Sequence, residues 1–334
     1  FKETLEEAQR ESYGQCEERE EIIIIEHTSA NPTGPVHVGR ARNPIIGDSI
    51  SRILSFAGYQ IERQYYVNDS GKQVATLIWA FEKFSEDELV DLKKNRGDYD
   101  IVRYYQLSNS YLENSSTEDR NIAEFEIADI LGKIESGNEK IHQRLMSITE
   151  MVLEGMKECL YRISVEFDEF VRETRFIQDG SVGEMVDRLK QLDCAFKEDG
   201  AWKLSIPGEE KPLVFLRSDG TSLYTTRDLC YHEWKLKKAD KIVTILGEDH
   251  KLQAEQLIKT LSLLGADTSR IRQVFYSWVN LPEGGMSTRK GTGINLDDLL
   301  DESVARAREE VTRREGSRIR EMELKESDID RISR

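Results

Sequence analysis

Glu21-Ile-Ile-Ile-Ile-Glu26, running straight into His27-Thr-Ser-Ala-Asn-Pro-Thr-Gly-Pro35, decides the fold. Consecutive β-branched residues flanked by acids are the pattern of a short strand buried on both faces of a parallel sheet. The stretch after them is dense in turn formers and reads as a loop. Ile46, Ile50, Ile53, Leu54 and Ala57 then recur at helical spacing, and Gly58 stands where a C-cap is expected. Ile61, Tyr65 and Val67, with polar residues between them, resemble a second strand. Strand, loop, helix and strand make a βαβ unit, which implies a right-handed crossover and a doubly wound parallel sheet, hence an α/β fold.

Working outward, residues 2–21 carry eight acids against three bases and read as a solvated helix or linker. From Gly71 to Glu166 the chain reads mostly helical and charged, with turn signals at Gly97, Ser115-Ser116 and Ser136-Gly137-Asn138. Phe167–Phe176, Ala201–Ile206 and Leu213–Leu216 read as short strands separated by turns. A second α/β stretch follows: a strand over Lys241–Leu246, a helix over Leu252–Leu264 and a strand over Gln273–Val279. Residues 282–295 form a Gly-rich polar loop, and 296–334 read as charged helix. The expected units are 1–20 as a leading helix or linker, 21–72 and 213–281 as two halves of a nucleotide-binding domain, 73–212 as an insertion, and 282–334 as the loop with its helices.

The balance of 47 Lys+Arg against 63 Asp+Glu over 334 residues gives a net charge of −16, which argues against non-specific nucleic-acid binding and leaves room for a local basic face. No run approaches the roughly 18–20 apolar residues that a membrane span needs, so neither a membrane nor a secretory role is expected. Cys16, Cys159, Cys194 and Cys230 stand far apart without a CxxC pair, which fits neither a zinc framework nor a disulfide scaffold and matches a reducing cytoplasm. The start at Phe1 without Met and the charged helical pattern up to Arg334 read as a fragment of a longer protein.

Two stretches carry chemistry. Ala30-Asn-Pro-Thr-Gly-Pro-Val-His-Val-Gly-Arg40 lies between a strand end and a helix start, where open α/β sheets bind ligands. A helix N-terminus offers N–H groups to a phosphate, Gly39 leaves room for a purine against the backbone, and His37 and Arg40 add donors for charge on a transferred phosphoryl group. The bland alternative is a Pro/Gly loop with a capping histidine. Gly284-Gly-Met-Ser-Thr-Arg-Lys-Gly291 is a basic loop after the last strand, with Arg289 and Lys290 set to clamp a leaving triphosphate or simply solvated.

Together these stretches resemble the HIGH and KMSKS elements of class I aminoacyl-tRNA synthetases, and in detail the arginyl-tRNA synthetase family of archaeal type. Ser29–Asn43, Tyr65-Tyr-Val-Asn-Asp69, Arg217-Ser-Asp-Gly-Thr221, Tyr224-Thr-Thr-Arg-Asp228, Leu246-Gly-Glu-Asp-His250 and Leu296-Asp-Asp-Leu-Leu300 all match, in the family's order. The resemblance implies a Rossmann, HUP-type catalytic domain split by a mostly helical α+β insertion. It departs at Arg40, where the motif usually ends in His, and at Thr288, where a lysine usually stands, so either Arg289 or Lys290 takes that lysine's role. The family's N-terminal tRNA-elbow domain and C-terminal anticodon-binding domain are expected to be absent here.

The resemblance implies catalytic roles for His37, Gly39, Arg40, Met286, Ser287, Arg289 and Lys290. It places Glu173, Tyr224 and Asp228 around the guanidinium of L-arginine, Asn31 and Asp249 at the α-amino group, and Ser29 and His37 near the carboxylate. Asn43 and His250 become adenosine neighbours, beside His37, Gly39, Arg40, Arg289 and Lys290 as the ATP site. Structurally, Asp228 has Arg227 as an alternative partner, Glu173 has Arg172 or Arg175, and Glu26 is either pocket or scaffold. The implied reaction is activation of L-arginine with Mg-ATP, the magnesium entering with the nucleotide, and transfer to tRNA(Arg), by a monomer. Two alternatives remain: a relative that adenylylates another acceptor, and a non-catalytic paralogue that binds arginine or RNA.

Overall fold

A computed structural model of the chain describes residues 1–10, 12–90, 94–277 and 294–317. A short helix α1 (Lys2–Glu7) with no buried residue precedes strand β1 (Ile22–Thr28), helix α2 (Arg42–Phe56) and strand β2 (Gln60–Val67). Four helices follow, α3 (Lys72–Lys83), α4 (Gly97–Asn114), α5 (Thr117–Glu135) and α6 (Glu139–Tyr161). Ser116 and Asn138 cap α5 and α6 by accepting the N–H groups of Asp119 and Ile141, so the expected Ser and Asn turn signals are N-caps. Then come β3 (Glu169–Arg172), α7 (Glu173–Gln178), α8 (Ser181–Lys190), β4 (Ala195–Glu198), β5 (Ala201–Leu204) and β6 (Leu213–Leu216). Helix α9 (Tyr224–Lys238), β7 (Lys241–Gly247), α10 (Lys251–Leu263), β8 (Ile271–Tyr276) and α11 (Leu296–Ser317) complete the order.

Five strands form one sheet in the order β3-β2-β1-β7-β8, every neighbouring pair parallel. Helices cover it, as the βαβ reading requires, and Ile23, Ile24 and Ile25 are buried at its centre. β4, β5 and β6 form a separate antiparallel sheet. Two strands thus sit apart from the expected units: Glu169–Arg172, within 73–212, joins the main sheet, while Leu213–Leu216 pairs in the small one. Helices α3–α6 pack on each other and on the sheet edge in one apolar core, and a second core joins α8, α9 and α10 to the small sheet.

Two expectations need correction. Ser181–Lys190, within the stretch read as strands and turns, is a helix that buries Val182, Met185, Val186 and Leu189, a spacing of three and four residues. In α2 the apolar stripe is not the buried one. The buried face is Asn43, Pro44, Gly47, Asp48 and Ser51, while Ile53 is 67% and Phe56 45% exposed. The cause is the closeness of α2 to β1: a Cβ on Gly47 would overlap the Cβ and ring of His27. Only small residues fit under that contact, and Ser51 returns its hydroxyl to the Gly47 carbonyl at 2.8 Å. Among the described residues no helix is long and apolar enough to cross a membrane.

Candidate active site

The strand order reverses at β1, with β2 on one side and β7 on the other, and ligands of such sheets bind outside the carboxyl ends of the strands at that point. β1 runs out into Ser29, β2 into Asn68, β3 into Glu173, β7 into the 3-10 turn Glu248–His250, and β8 into Ser277. Most of the candidate residues therefore lie on one edge. The register of β1 on β2 slips between Glu26 and Thr28, a bulge that re-aims the chain as it enters the loop.

The signature segment opens as a 3-10 turn, Val38–Arg40, with α2 starting only at Arg42, so His37 stands at the N-cap position of that turn and not of an α-helix, and its side chain makes no capping bond. The His37 Nδ1 is buried without a partner, and burial, followed by the Arg40 charge, lowers its imidazole to about 4. At neutral pH this side chain is uncharged and holds an unused polar atom at the ligand edge. Val38 donates its N–H to the Ile294 carbonyl at 2.9 Å and Leu296 donates to the Val36 carbonyl at 2.8 Å, so residues returning from the basic stretch run antiparallel to the motif. On the entry side, Arg42 donates to the Ser277 carbonyl at 2.7 Å. Met286, Ser287, Thr288, Arg289 and Lys290 lie outside the described residues.

The loop is held from below. Tyr65 donates its phenol to the Ala30 carbonyl at 3.2 Å, and Asn31 donates to Gln73 at 2.5 Å. A cleft lined by Thr28, Ala30, Asn31, Arg40, Tyr65 and Met156 opens beside it. The Tyr65–Asp69 block works with the strand ends: Asn68 donates to the Ser29 hydroxyl at 3.1 Å, and the buried Asp69 accepts the N–H and hydroxyl of Thr174, both at 2.9 Å.

Glu173 is buried, with one oxygen 2.6 Å from Arg227 Nε and the other taking the Ser70 hydroxyl at 2.6 Å. Its cation is therefore neither Arg172 nor Arg175, which pair instead with Asp69 and Glu150, and with Glu169. Arg227 also reaches Glu135, at 3.0 Å, and Ser222. Tyr224 and Asp228 share one face of α9; Tyr224 is 53% exposed. Arg227 is turned to Glu173 and Glu135, and His232 is the residue against Asp228, with Nδ1 3.2 Å from Oδ1. Burial alone would raise the Asp228 carboxyl, but His232, Lys235 and His250 hold it below the usual carboxylate range. Asp249 and His250 stand at the end of β7, 3.4 Å from each other. The Asp249 charge and those of Arg40 and Arg42 both act on the Tyr276 phenol, which burial raises.

Two candidates make contacts within the scaffold. Asn43 is buried and donates to the His27 carbonyl at 2.7 Å, fastening α2 to β1. Glu26 pairs with the fully buried Lys235 at 2.6 Å, the contact expected of a scaffold residue. Sequence reasoning missed His232 and Lys235, and it offered Arg227 to Asp228 where the structure pairs it with Glu173. They recur on α9 near Asp228, and a lysine on a buried helix face was the available signal.

The family described as tRNA synthetases class I (R), catalytic domain, matches residues 4–333. The arginine–tRNA ligase of Haloquadratum walsbyi is 55% identical over 336 residues, covering 100% of this chain and 56% of that protein. That of Haloarcula marismortui is 55% identical over 334 residues, covering 100% and 58%. The Thermus thermophilus arginyl-tRNA synthetase structure matches in fold with a TM-score of 0.75 at 22% identity, over 99% of this chain and 59% of that one. The Plasmodium falciparum arginyl-tRNA synthetase gives 0.72 at 18%, over 95% and 50%. The chain spans about half the length of the curated relatives it matches. It belongs to the class I tRNA synthetases of the arginine type, within the catalytic domain of that family.

Proposed function

We propose that the chain carries the catalytic core of an arginine–tRNA ligase. L-Arginine's carboxylate attacks the α-phosphate of Mg-ATP in line, giving arginyl-adenylate and pyrophosphate. The terminal adenosine 2′-hydroxyl of tRNA(Arg) then takes the arginyl group and releases AMP. The observation that carries this reading is the double link of the signature segment to both flanks of residues 278–293, Val38 to Ile294 and Arg42 to Ser277. It anchors the two residues that flank this segment, Ser277 and Ile294, to the first motif, which suits two-sided stabilisation of a triphosphate.

No protein nucleophile is needed; positioning and charge do the work. His37, neutral at pH 7, offers a hydrogen bond and not a charge, while Arg40, Arg289 and Lys290 supply cations and Gly39 leaves space at the nucleotide. Met286 and Ser287 share the catalytic role of the second motif, and His250 serves the adenosine side. Asn31 and Asp249 hold the α-amino group, with Ser29 near the carboxylate. Tyr224 and Asp228 face the guanidinium directly. Glu173 acts there largely through Arg227, whose guanidinium it already holds. A planar fork of donors suits this acidic face, whereas lysine's ammonium leaves it poorly paired.

ATP–pyrophosphate exchange tests the reading, with arginine against lysine and citrulline, each with and without total tRNA. Exchange that requires arginine is expected, and tRNA dependence is expected with it. Arginine binding with no exchange under any condition, and none after Thr288→Lys, would replace it with an arginine-binding paralogue.

A further inference from the structure

A line of polar side chains runs through the buried face of α9 to Asp228. Lys235 is fully buried, and its Nζ lies 2.6 Å from Glu26 Oε2 on β1, 3.3 Å from His232 Nε2 and 4.0 Å from the centre of the Tyr231 ring. His232, also buried, has its Nδ1 2.9 Å from the Asp228 carbonyl and 3.2 Å from its Oδ1.

The polarity of this chain follows from the donor inventory. An ammonium only donates, so it gives one proton to Glu26, turns one toward the Tyr231 face and leaves one for His232 Nε2, which must accept. With Nε2 accepting, the ring's proton sits on Nδ1 and points at Asp228. The imidazole can then neither flip nor change tautomer without leaving Lys235 unmatched in a buried site. Glu26 anchors the far end from the central strand of the sheet.

We infer that His232 and Lys235 are positioning residues that fix the Asp228 carboxylate at the ligand edge for a guanidinium. This rests on the arginine reading of the site. They do not touch substrate: the Nδ1 proton of His232 is shared between the Asp228 carbonyl and one lobe of its carboxylate, which leaves the other lobe to receive a planar donor. The lowered Asp228 carboxyl agrees with such a hold. Lys235 acts one step further back, by fixing which nitrogen of His232 carries the proton.

Two measurements on the whole chain test this. The first is independent of substrate: nitrogen NMR of the imidazole. His232 is expected with Nδ1 protonated and Nε2 bare, and the Glu26→Gln/Lys235→Met double variant, which removes both charges together, is expected to release that tautomer preference. A ring protonated on Nε2 in the parent chain overturns the proposal. The second is exchange kinetics. His232→Leu is expected to raise the KM for arginine roughly tenfold, the loss of one hydrogen bond to a charged group, with the KM for ATP within twofold. His232→Asn, which keeps a donor at the place of Nδ1, is expected to recover most of that loss. Equal loss for arginine and ATP, or no recovery by Asn, makes His232 merely structural and overturns the proposal. A parent chain indifferent to arginine sinks the arginine reading instead, while the NMR result still decides the tautomer relay.

Discussion

Val38 donates its backbone N–H to the Ile294 carbonyl at 2.9 Å, while four residues further on Arg42 holds the Ser277 carbonyl at 2.7 Å. One short segment thus fixes both flanks of residues 278–293. The two links differ in what a mutation can reach. The backbone bond survives any side-chain change, but the guanidinium bond does not. Arg42→Ala is expected to raise the KM for ATP in pyrophosphate exchange by about three- to tenfold, the size of one solvent-exposed hydrogen bond, and to leave the KM for arginine within twofold. Unchanged ATP saturation would show that Arg42 has no part in placing the second motif.

Gly47 tests the packing of α2 on β1. Its Cβ would overlap His27, which is backbone-fixed at that atom and cannot rotate away. Gly47→Ala is therefore expected to cost about 2–3 kcal/mol or more in urea unfolding, although alanine favours a helix by nearly 1 kcal/mol over glycine. A stabilised variant would mean that α2 can shift outward freely.

That contact also explains what the sequence could and could not disclose. The central strand was legible because Ile23, Ile24 and Ile25 have no polar alternation, which only a doubly covered strand allows. The buried face of α2 was hidden because close approach selects Gly, Ser and Pro, while periodicity counts only large apolar side chains. Helix α8 was legible from Val182, Met185, Val186 and Leu189, yet its shortness let it pass as turns. At the candidate site, the block pattern gave candidate residues but not their partners. Arg227 and Glu173 stand 54 residues apart, and nothing local distinguishes that pair from Glu173 with Arg172.

Acid sensitivity follows from two neutral histidines. Burial, then Arg63, lowers His27 to about 3, and burial, then Arg40, lowers His37 to about 4, against 6.5 for a free imidazole. Between 6.5 and those values the unfolded chain binds protons that the folded chain refuses. Their contribution to stability is therefore complete above about 6.5 and falls with pH down to the folded-state values, at up to about 1.4 kcal/mol per pH unit for each. His27→Phe keeps the stacking on Phe167 and removes one of the two titrations. Urea unfolding at pH 7.5 and 5.5 should show a smaller drop for this variant than for the parent. An equal drop would place the acid sensitivity elsewhere.

The pair Glu26–Lys235 separates scaffold from ligand contact. Lys235→Met leaves a buried carboxylate without its cation, and a loss of about 3–5 kcal/mol in unfolding free energy is expected. The double variant with Glu26→Gln should recover a large part, because the uncompensated charge is gone. Were Glu26 a substrate ligand, the double variant would regain stability but lose arginine. As scaffold, it regains stability and retains measurable arginine-dependent exchange.

Asp228 carries the sharpest expectation about specificity. The Glu173 oxygens already take Arg227 and Ser70, whereas Asp228 is only half-buried and held from one side by His232. It is thus the carboxylate with capacity left for an incoming guanidinium. Asp228→Asn replaces a charged acceptor by a neutral amide, one end of which now repels the donors of the fork. A fall in kcat/KM for arginine of roughly a hundredfold or more is expected, with ATP affinity retained. Tyr224→Phe should cost less, since its exposed phenol competes with water for the same donor. If Asp228→Asn and Glu173→Gln instead showed equal effects on arginine with unfolding free energy unchanged in both, the guanidinium would be shared equally between them. Arg227 would then have to swing away from Glu173 as substrate arrives, and the bond between them would be absent from the arginine-bound state.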